Sequence, residues 1–177
     1  MIILDFETNS SAEHDVIEVA ALKVELVNNK YELKDKFHRY YLSRYPVNPY
    51  SYEVHKLSPE LILEHRHKHN VKYSSYFKED LDFIEFCKDS KTLVAHNISF
   101  ELRHLRGLIE FENHFCTMKE NKQIVKALNK NNKIKNPKLP ETCHYYGIEF
   151  DTNAHHSATY DATKTFEILT YMKNIDF

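Results

Sequence analysis

The sequence predicts an α/β protein: a mixed β-sheet, its first three strands an antiparallel meander, flanked by helices. Three observations carry this. Residues 1–6 read as a fully buried strand. The stretches "VIEVAALKVEL" (16–26) and "YELKDKFHRYYL" (31–42) read as two more, with Asn28 and Asn29 as turn residues between them. After these, strand and helix patterns alternate. At 177 residues, 42% hydrophobic and 28% charged, the chain has an ordinary globular composition and enough length for one core. A single domain over 1–177 is expected.

The elements follow in order. "SRYPVNPYSY" (43–52) holds two prolines and reads as a loop. Ser58 is a helix N-cap, with Pro59 at the first helical position and Glu60 in the first turn. Residues 76–88 read as a helix. "KTLVAH" (91–96) reads as a short buried strand, followed by a helix over 98–110. "HFCTM" reads as a short strand and 118–130 as a helix. "NKNNKIKNPK" (129–138) is a basic, Asn-rich loop. Helices over 139–146 and 157–173 close the chain.

Charge and cysteine usage exclude several classes. The net charge is −2, so any nucleic-acid contact must be local or carried by bound cations. The three cysteines, Cys87, Cys116 and Cys143, are odd in number and far apart. They fit neither a disulfide framework nor a metal knuckle, and a reducing, cytoplasmic setting is expected. No apolar run is long enough for a transmembrane helix, and no signal peptide is expected.

The chemistry lies in the acids. "MIILDFETNSS" ends an apolar strand on Asp5 and Glu7, which point to the same face about 7 Å apart. In the helix after "LVAHN", Ile98, Leu102, Leu105 and Ile109 form an apolar stripe. Glu101 lies about 60° from Ile98, on the edge of the buried face. In the last helix Ala158, Ala162, Phe166 and Leu169 form the stripe, and Asp161 has the same offset. Four clustered carboxylates would repel one another. With divalent cations they become ligands, because hard cations such as Mg²⁺ prefer oxygen donors. Two such ions are the usual clamp for phosphodiester hydrolysis. His156, five residues before Asp161, is placed to be the general base.

These motifs carry a resemblance. "DFET" (5–8), "HNISFE" (96–101) and "HSATYD" (156–161) resemble the three signatures of the DEDDh 3′–5′ exonucleases: DxE followed by Thr, HNxxFD and HxAxxD. That family includes the proofreading subunit of bacterial replicative polymerases and ribonuclease T. "VIEVAALKV", "VHKLSPELI" and "LPETCHYYGIE" also look like its proofreading branch. The resemblance implies a ribonuclease H-like fold. It implies two divalent cations, Mg²⁺ or Mn²⁺, on Asp5, Glu7, Asp161 and Glu101, and His156 deprotonating the attacking water. Thr8, through its backbone, with Phe6, His55 and Asn97, would meet the 3′-terminal nucleotide, His55 lining the pocket for the last base. The implied partners are the 3′ ends of single-stranded DNA or RNA; neither a polymerase partner nor a homodimer is specified. Two departures stand out: Glu101 occupies an Asp position, and "TNSS" replaces the common Thr-Thr-Gly turn. The alternative is a catalytically impaired nucleic-acid-binding relative of the same fold.

Other features have bland readings beside sharp ones. His155 reads as a solvated neighbour of His156. His96 and Asn97 read as hydrogen-bonding ties at a strand end. The run "HRHKH" (His65, His67, His69) spreads its rings over different faces of a helix. Tyr50 and Tyr52 are base-stacking candidates or loop packing. The Lys-rich 130–138 segment is a phosphate contact or a solvated loop. Sixteen residues follow Asp161, from which a freestanding enzyme is expected.

Overall fold

The computed structural model describes residues 1–69 and 72–172. Strands β1 (Ile2–Thr8), β2 (Val16–Val27), β3 (Lys30–Tyr40), β4 (Thr92–Ala95) and β5 (Asn113–Cys116) form one sheet in the order β3-β2-β1-β4-β5. The first three are an antiparallel meander, and β4 and β5 run parallel to β1. The β2–β3 turn is made by Asn28 and Asn29, both at positive φ (51° and 60°). A tight hairpin needs that conformation, and Asn tolerates it.

Side-chain alternation along β1 sets the layers. Ile2, Leu4 and Phe6 point to one face, into a core with Phe77, Phe83 and Leu105. Ile3 points to the other, with Ala20, Leu22 and Val24 of β2 and with Ala158, Ala162 and Leu169 of the last helix. Asp5 and Glu7 continue the Ile3 face. The first core is aromatic: the Phe6 ring meets Phe77 edge-on at 5.1 Å, and Phe77 lies 5.1 Å from Phe83. Phe83→Ala should therefore cost about 3–5 kcal/mol. Urea denaturation tests this, and a loss below about 1 kcal/mol would contradict the packing assigned to it.

Eight α-helices are described: α1 (Pro49–His55), α2 (Pro59–Lys68), α3 (Leu81–Cys87), α4 (Ile98–Leu105), α5 (Thr117–Glu120), α6 (Lys122–Val125), α7 (Leu139–Tyr145) and α8 (Ala158–Tyr171). Several depart from the sequence reading. The expected loop at 43–52 contains the start of α1: Asn48 Oδ1 caps it by accepting from Tyr50 N–H, and Pro49 takes the first helical position. The Asn-Pro pair that reads as a turn is also N-cap chemistry. The expected helix at 76–88 is broken into a 3₁₀ turn at Phe77–Glu79 and α3. Asp80 stands between them, capping α3 and accepting from both Arg39 and Tyr41. The helix expected over 98–110 stops at Leu105, so Ile109 leaves its stripe. The helix expected over 118–130 is only α5 and α6, ended by Lys126 at φ 52°. Position 173 of the last expected helix lies outside the described residues.

All three cysteines are buried and free. Burial pushes the Cys87 and Cys143 thiols up to about 12, which makes them packing groups rather than nucleophiles. No described helix is long and apolar enough to cross a membrane.

Candidate active site

Three elements bring the acids together. β1 delivers Asp5 and Glu7 on one face; α4 delivers Glu101 and α8 delivers Asp161. Ligand oxygens of Asp5, Glu7 and Asp161 lie within 4.8 Å of one another. Glu101 stands outside that trio but raises the proton affinity of both Asp5 and Glu7. It is fully buried, deeper than the helix-edge position its spacing suggests, and its Oε2 has no hydrogen-bond partner.

The electrostatics follow from this crowding. Burial raises Asp5 well above the usual carboxylate range, and Glu7, Glu101, Asp161 and Glu18 raise it further. Burial also raises Glu7, followed by Glu18 and Asp161. Burial lifts Glu101 to about 8. Asp161 is raised by burial, with its two hydrogen bonds acting in the opposite sense. Carboxylates gathered without a cation would be a net cost to the fold. A set of oxygen donors with one buried carboxylate oxygen unpaired fits hard divalent cations.

Glu18, which the sequence pattern marks only as part of a strand, belongs to this cluster. It pairs directly with Glu7 across the β1–β2 ladder. Almost completely buried, its Oε2 accepts from the Ala158 N–H at the first turn of α8, at 3.2 Å. Its Oε1 lies 2.8 Å from His38 Nε2. Ser157 at the N-cap makes no side-chain hydrogen bond, so Glu18 supplies the capping oxygen from the neighbouring sheet. The visible sign is one acid inside the otherwise apolar, buried stretch Val16–Leu22 of β2.

The loop before α8 also differs from expectation. His155 is not a solvated neighbour: its Nδ1 lies 3.0 Å from Asp161 Oδ1. His156 donates its backbone N–H to Asp161 Oδ2 at 3.3 Å, and its ring stacks on His155 at 3.6 Å. His156 sits at φ 67°, a left-handed conformation that turns the chain into the helix. Burial, then His155, His55 and Lys138, lower it to about 4, so its imidazole is neutral at pH 7.

The remaining candidates separate. His55 ends α1 with Nδ1 accepting from Leu57 N–H at 2.9 Å, which leaves Nε2 buried and unpartnered. Thr8 ends β1 at an irregularity in the ladder. The Phe6 ring faces the aromatic core, on the sheet face opposite the acids, so its side chain does not meet a substrate there. Asn97 is exposed and its side chain makes no capping bond to α4. His96 is a tie: Nδ1 lies 3.0 Å from Thr117 Oγ1, and Nε2 lies 3.1 Å from the Pro137 carbonyl. Among the described residues, His65, His67 and His69 form no metal-ligating group. His65 instead stacks on Tyr40 at 4.4 Å. Tyr50 is 85% exposed, so it does not pack its loop.

The family model described as exonuclease, RNase T, matches residues 2–169. The chain belongs to the exonuclease family. A search of curated proteins finds no match to this exonuclease-family chain. Its fold is similar to Exonuclease X in complex with 5′-overhanging duplex DNA: 20% identity, TM-score 0.63, covering 96% of this chain and 89% of that one. It is similar to E. coli Exonuclease I in complex with a dT13 oligonucleotide: 12% identity, TM-score 0.71, 96% of this chain and 40% of that one. It is also similar to the nuclease domain of 3′hExo, a DEDDh family member, bound to rAMP: 14% identity, TM-score 0.65, 97% and 90%. The expected ribonuclease H-like architecture, with its antiparallel β3-β2-β1 half, is the fold this family member has.

Proposed function

We propose that this chain is a metal-dependent 3′–5′ exonuclease, a single domain over 1–177 that hydrolyses single-stranded nucleic acid to nucleoside monophosphates. The observation that carries the reading is the convergence of Asp5, Glu7 and Asp161 within 4.8 Å, with Glu101 buried beside them. These four residues would hold two divalent cations, Mg²⁺ or Mn²⁺. Cations bound there would neutralise phosphate charge and favour departure of the leaving oxygen.

The chain's own groups do the rest. His156, neutral at pH 7, accepts the proton of the attacking water; the stacked His155 ring and the bond from its backbone to Asp161 fix its direction. With Nδ1 accepting, His55 carries its proton on Nε2 and can donate to the terminal nucleotide. The Thr8 backbone, at the end of β1 beyond Glu7, and the exposed Asn97, ahead of the helix that carries Glu101, would meet the same terminal nucleotide. Exonuclease I and 3′hExo were solved with a deoxyoligonucleotide and a ribonucleotide, so the fold accommodates either sugar. DNA is the favoured substrate, with RNA also accepted.

Glu18 acts through α8. Glu18→Ala removes the oxygen that caps the helix carrying Asp161, and a misplacement near 1 Å can cost about 10²-fold in rate. The expected result is a fall in kcat of that order with KM little changed. Wild-type kcat in the variant would remove Glu18 from the site.

The reaction is tested by digesting 5′-labelled single-stranded DNA and RNA with Mg²⁺, Mn²⁺ or EDTA. A ladder shortening from the 3′ end only with metal is expected. Intact oligonucleotides under confirmed metal binding would favour the impaired-relative reading and point to Glu101, for which Glu101→Asp is the restoring variant.

A further inference from the structure

The segment between α6 and α7 differs in charge from the rest of the chain. Residues 121–140 contain six lysines and no acid. The rest of the chain is left with 18 basic and 26 acidic residues, so this segment carries a charge opposite to its surroundings. Elsewhere, Lys34, Lys56, Lys68, Lys88, Lys91 and Lys164 each meet a glutamate, while exposed Lys30, Lys36, Lys78 and Lys119 are scattered singly and have no ion pair among the described residues. Lys126, Lys130 and Lys133 are exposed and meet no acid among the described residues. Only Lys135, at the base, is paired, with Glu141.

The segment is built rather than slack. Leu128 and Ile134 form an antiparallel bridge, and Lys135 N–H donates to the Ala127 carbonyl at 2.8 Å. Asn129 closes the tip: its Oδ1 accepts from the N–H groups of Asn131 (2.9 Å) and Lys133 (3.0 Å). Both ends are anchored. Buried Asn121 donates to the Thr117 carbonyl and accepts from the Tyr146 hydroxyl. The Pro137 carbonyl is held by His96, two residues before α4, the helix that carries Glu101. The field of Lys138 reaches His156. The arm thus starts at the rim of the acidic cleft and leads away from it.

We infer that the arm formed by residues 126–138 is the track for the phosphate backbone of single-stranded nucleic acid upstream of its 3′ end. This rests on the exonuclease reading for which end is cut, but the binding itself does not. Charge complementarity selects the occupant: a polyanion finds a run of cations with no acid among them here, and a net excess of acids over the rest of the chain. The ordered turn presents Lys130 and Lys133 with little further ordering cost on binding. Seven residues separate Lys138 from Asn131 at the tip. That is at most about 23 Å of chain, or roughly seven nucleotides at about 3.4 Å each. A dinucleotide would not reach the tip; a 12-mer would.

The test is the double variant Lys130→Gln/Lys133→Gln in the full chain, checked for an unchanged thermal melt. Two readouts are taken. The first is fluorescence-anisotropy binding of a 12-mer deoxyoligonucleotide in EDTA across a salt series. The second is metal-dependent cleavage of the 12-mer and of a dinucleotide. The expected result is a salt slope shallower by about 1.4, near 0.7 for each lysine lost on a single strand. KM for the 12-mer should rise about tenfold, with dinucleotide cleavage unchanged. A variant with the wild-type slope and 12-mer KM overturns the inference, and so does an equal loss on both substrates. If the wild type cleaves neither substrate yet shows the arm-dependent slope, the exonuclease reading fails and the track stands.

Discussion

Replacing Asp161 with asparagine should lower nuclease turnover by about 10³-fold or more while leaving the chain folded. The two effects have opposite signs, and that makes the experiment informative. Asp161 lies in a trio with Asp5 and Glu7, and its burial disfavours the ionised form. An amide there removes negative charge from a crowded site, so in EDTA the variant should melt at or above the wild-type temperature. A residue whose role was only to hold α8 would lose stability together with activity. With the asparagine oxygen at the position of Oδ1 the contact from His155 Nδ1 keeps its acceptor, while the amide NH₂ at the position of Oδ2 gives up only the long 3.3 Å bond from the His156 N–H. Turnover measured on a 5′-labelled oligonucleotide, alongside a thermal melt in EDTA, separates these outcomes. Near-wild-type turnover in a clean preparation would falsify the role assigned to Asp161.

Divalent cations should stabilise the protein strongly, and more so at high pH. Glu101 has a folded-state value of about 8 against an ordinary 4.5, because it is buried. Below pH 4.5 both the folded and unfolded chains hold the proton, and nothing is lost. Between 4.5 and 8 the unfolded chain releases its proton while the folded one keeps it, so stability in EDTA falls as pH rises. Asp5 and Glu7 are raised as well, and they act in the same direction. Cations bound to the ionised acids reverse this. At about one hundred times its dissociation constant an ion adds about 2.7 kcal/mol. For a chain of this size that is a rise in Tm of roughly 5–10 °C. Melts at pH 5.5 and pH 8, with EDTA and with Mn²⁺, should show the larger gap at pH 8, where protons compete less for the ligands. An equal gap at both values, or none at pH 8, would separate the acids from metal binding.

Much of this architecture was legible because it is written in local patterns. The alternation of Ile3, Asp5 and Glu7 on one face of β1 is a period-2 statement, and the sheet keeps it. The α8 stripe of Ala158, Ala162 and Leu169 is a 3.6-period statement, and it is buried as its spacing requires. What the local pattern missed were competitions between equivalent local choices. Asn48-Pro49 suits a turn or a helix start, and packing near Asn9, whose Oδ1 accepts the Asn48 N–H, selects the helix. Asp80 suits a helix interior poorly and a cap well, and its bonds to Arg39 and Tyr41 settle it as a cap.

Sequence alone determined the strand face of Asp5 and Glu7, the helices of Glu101 and Asp161, and the loop of His156, since each follows from backbone periodicity. Tertiary structure decided which groups share their charge. Glu18 is 140 residues from Ala158, and only the β1–β2 register and the seating of α8 on that face bring its carboxylate to the helix start. It also decided that His155 meets Asp161 and that Glu101 is fully buried. Burial and long-range pairing depend on what the rest of the chain packs against each residue, and no local spacing carries that information.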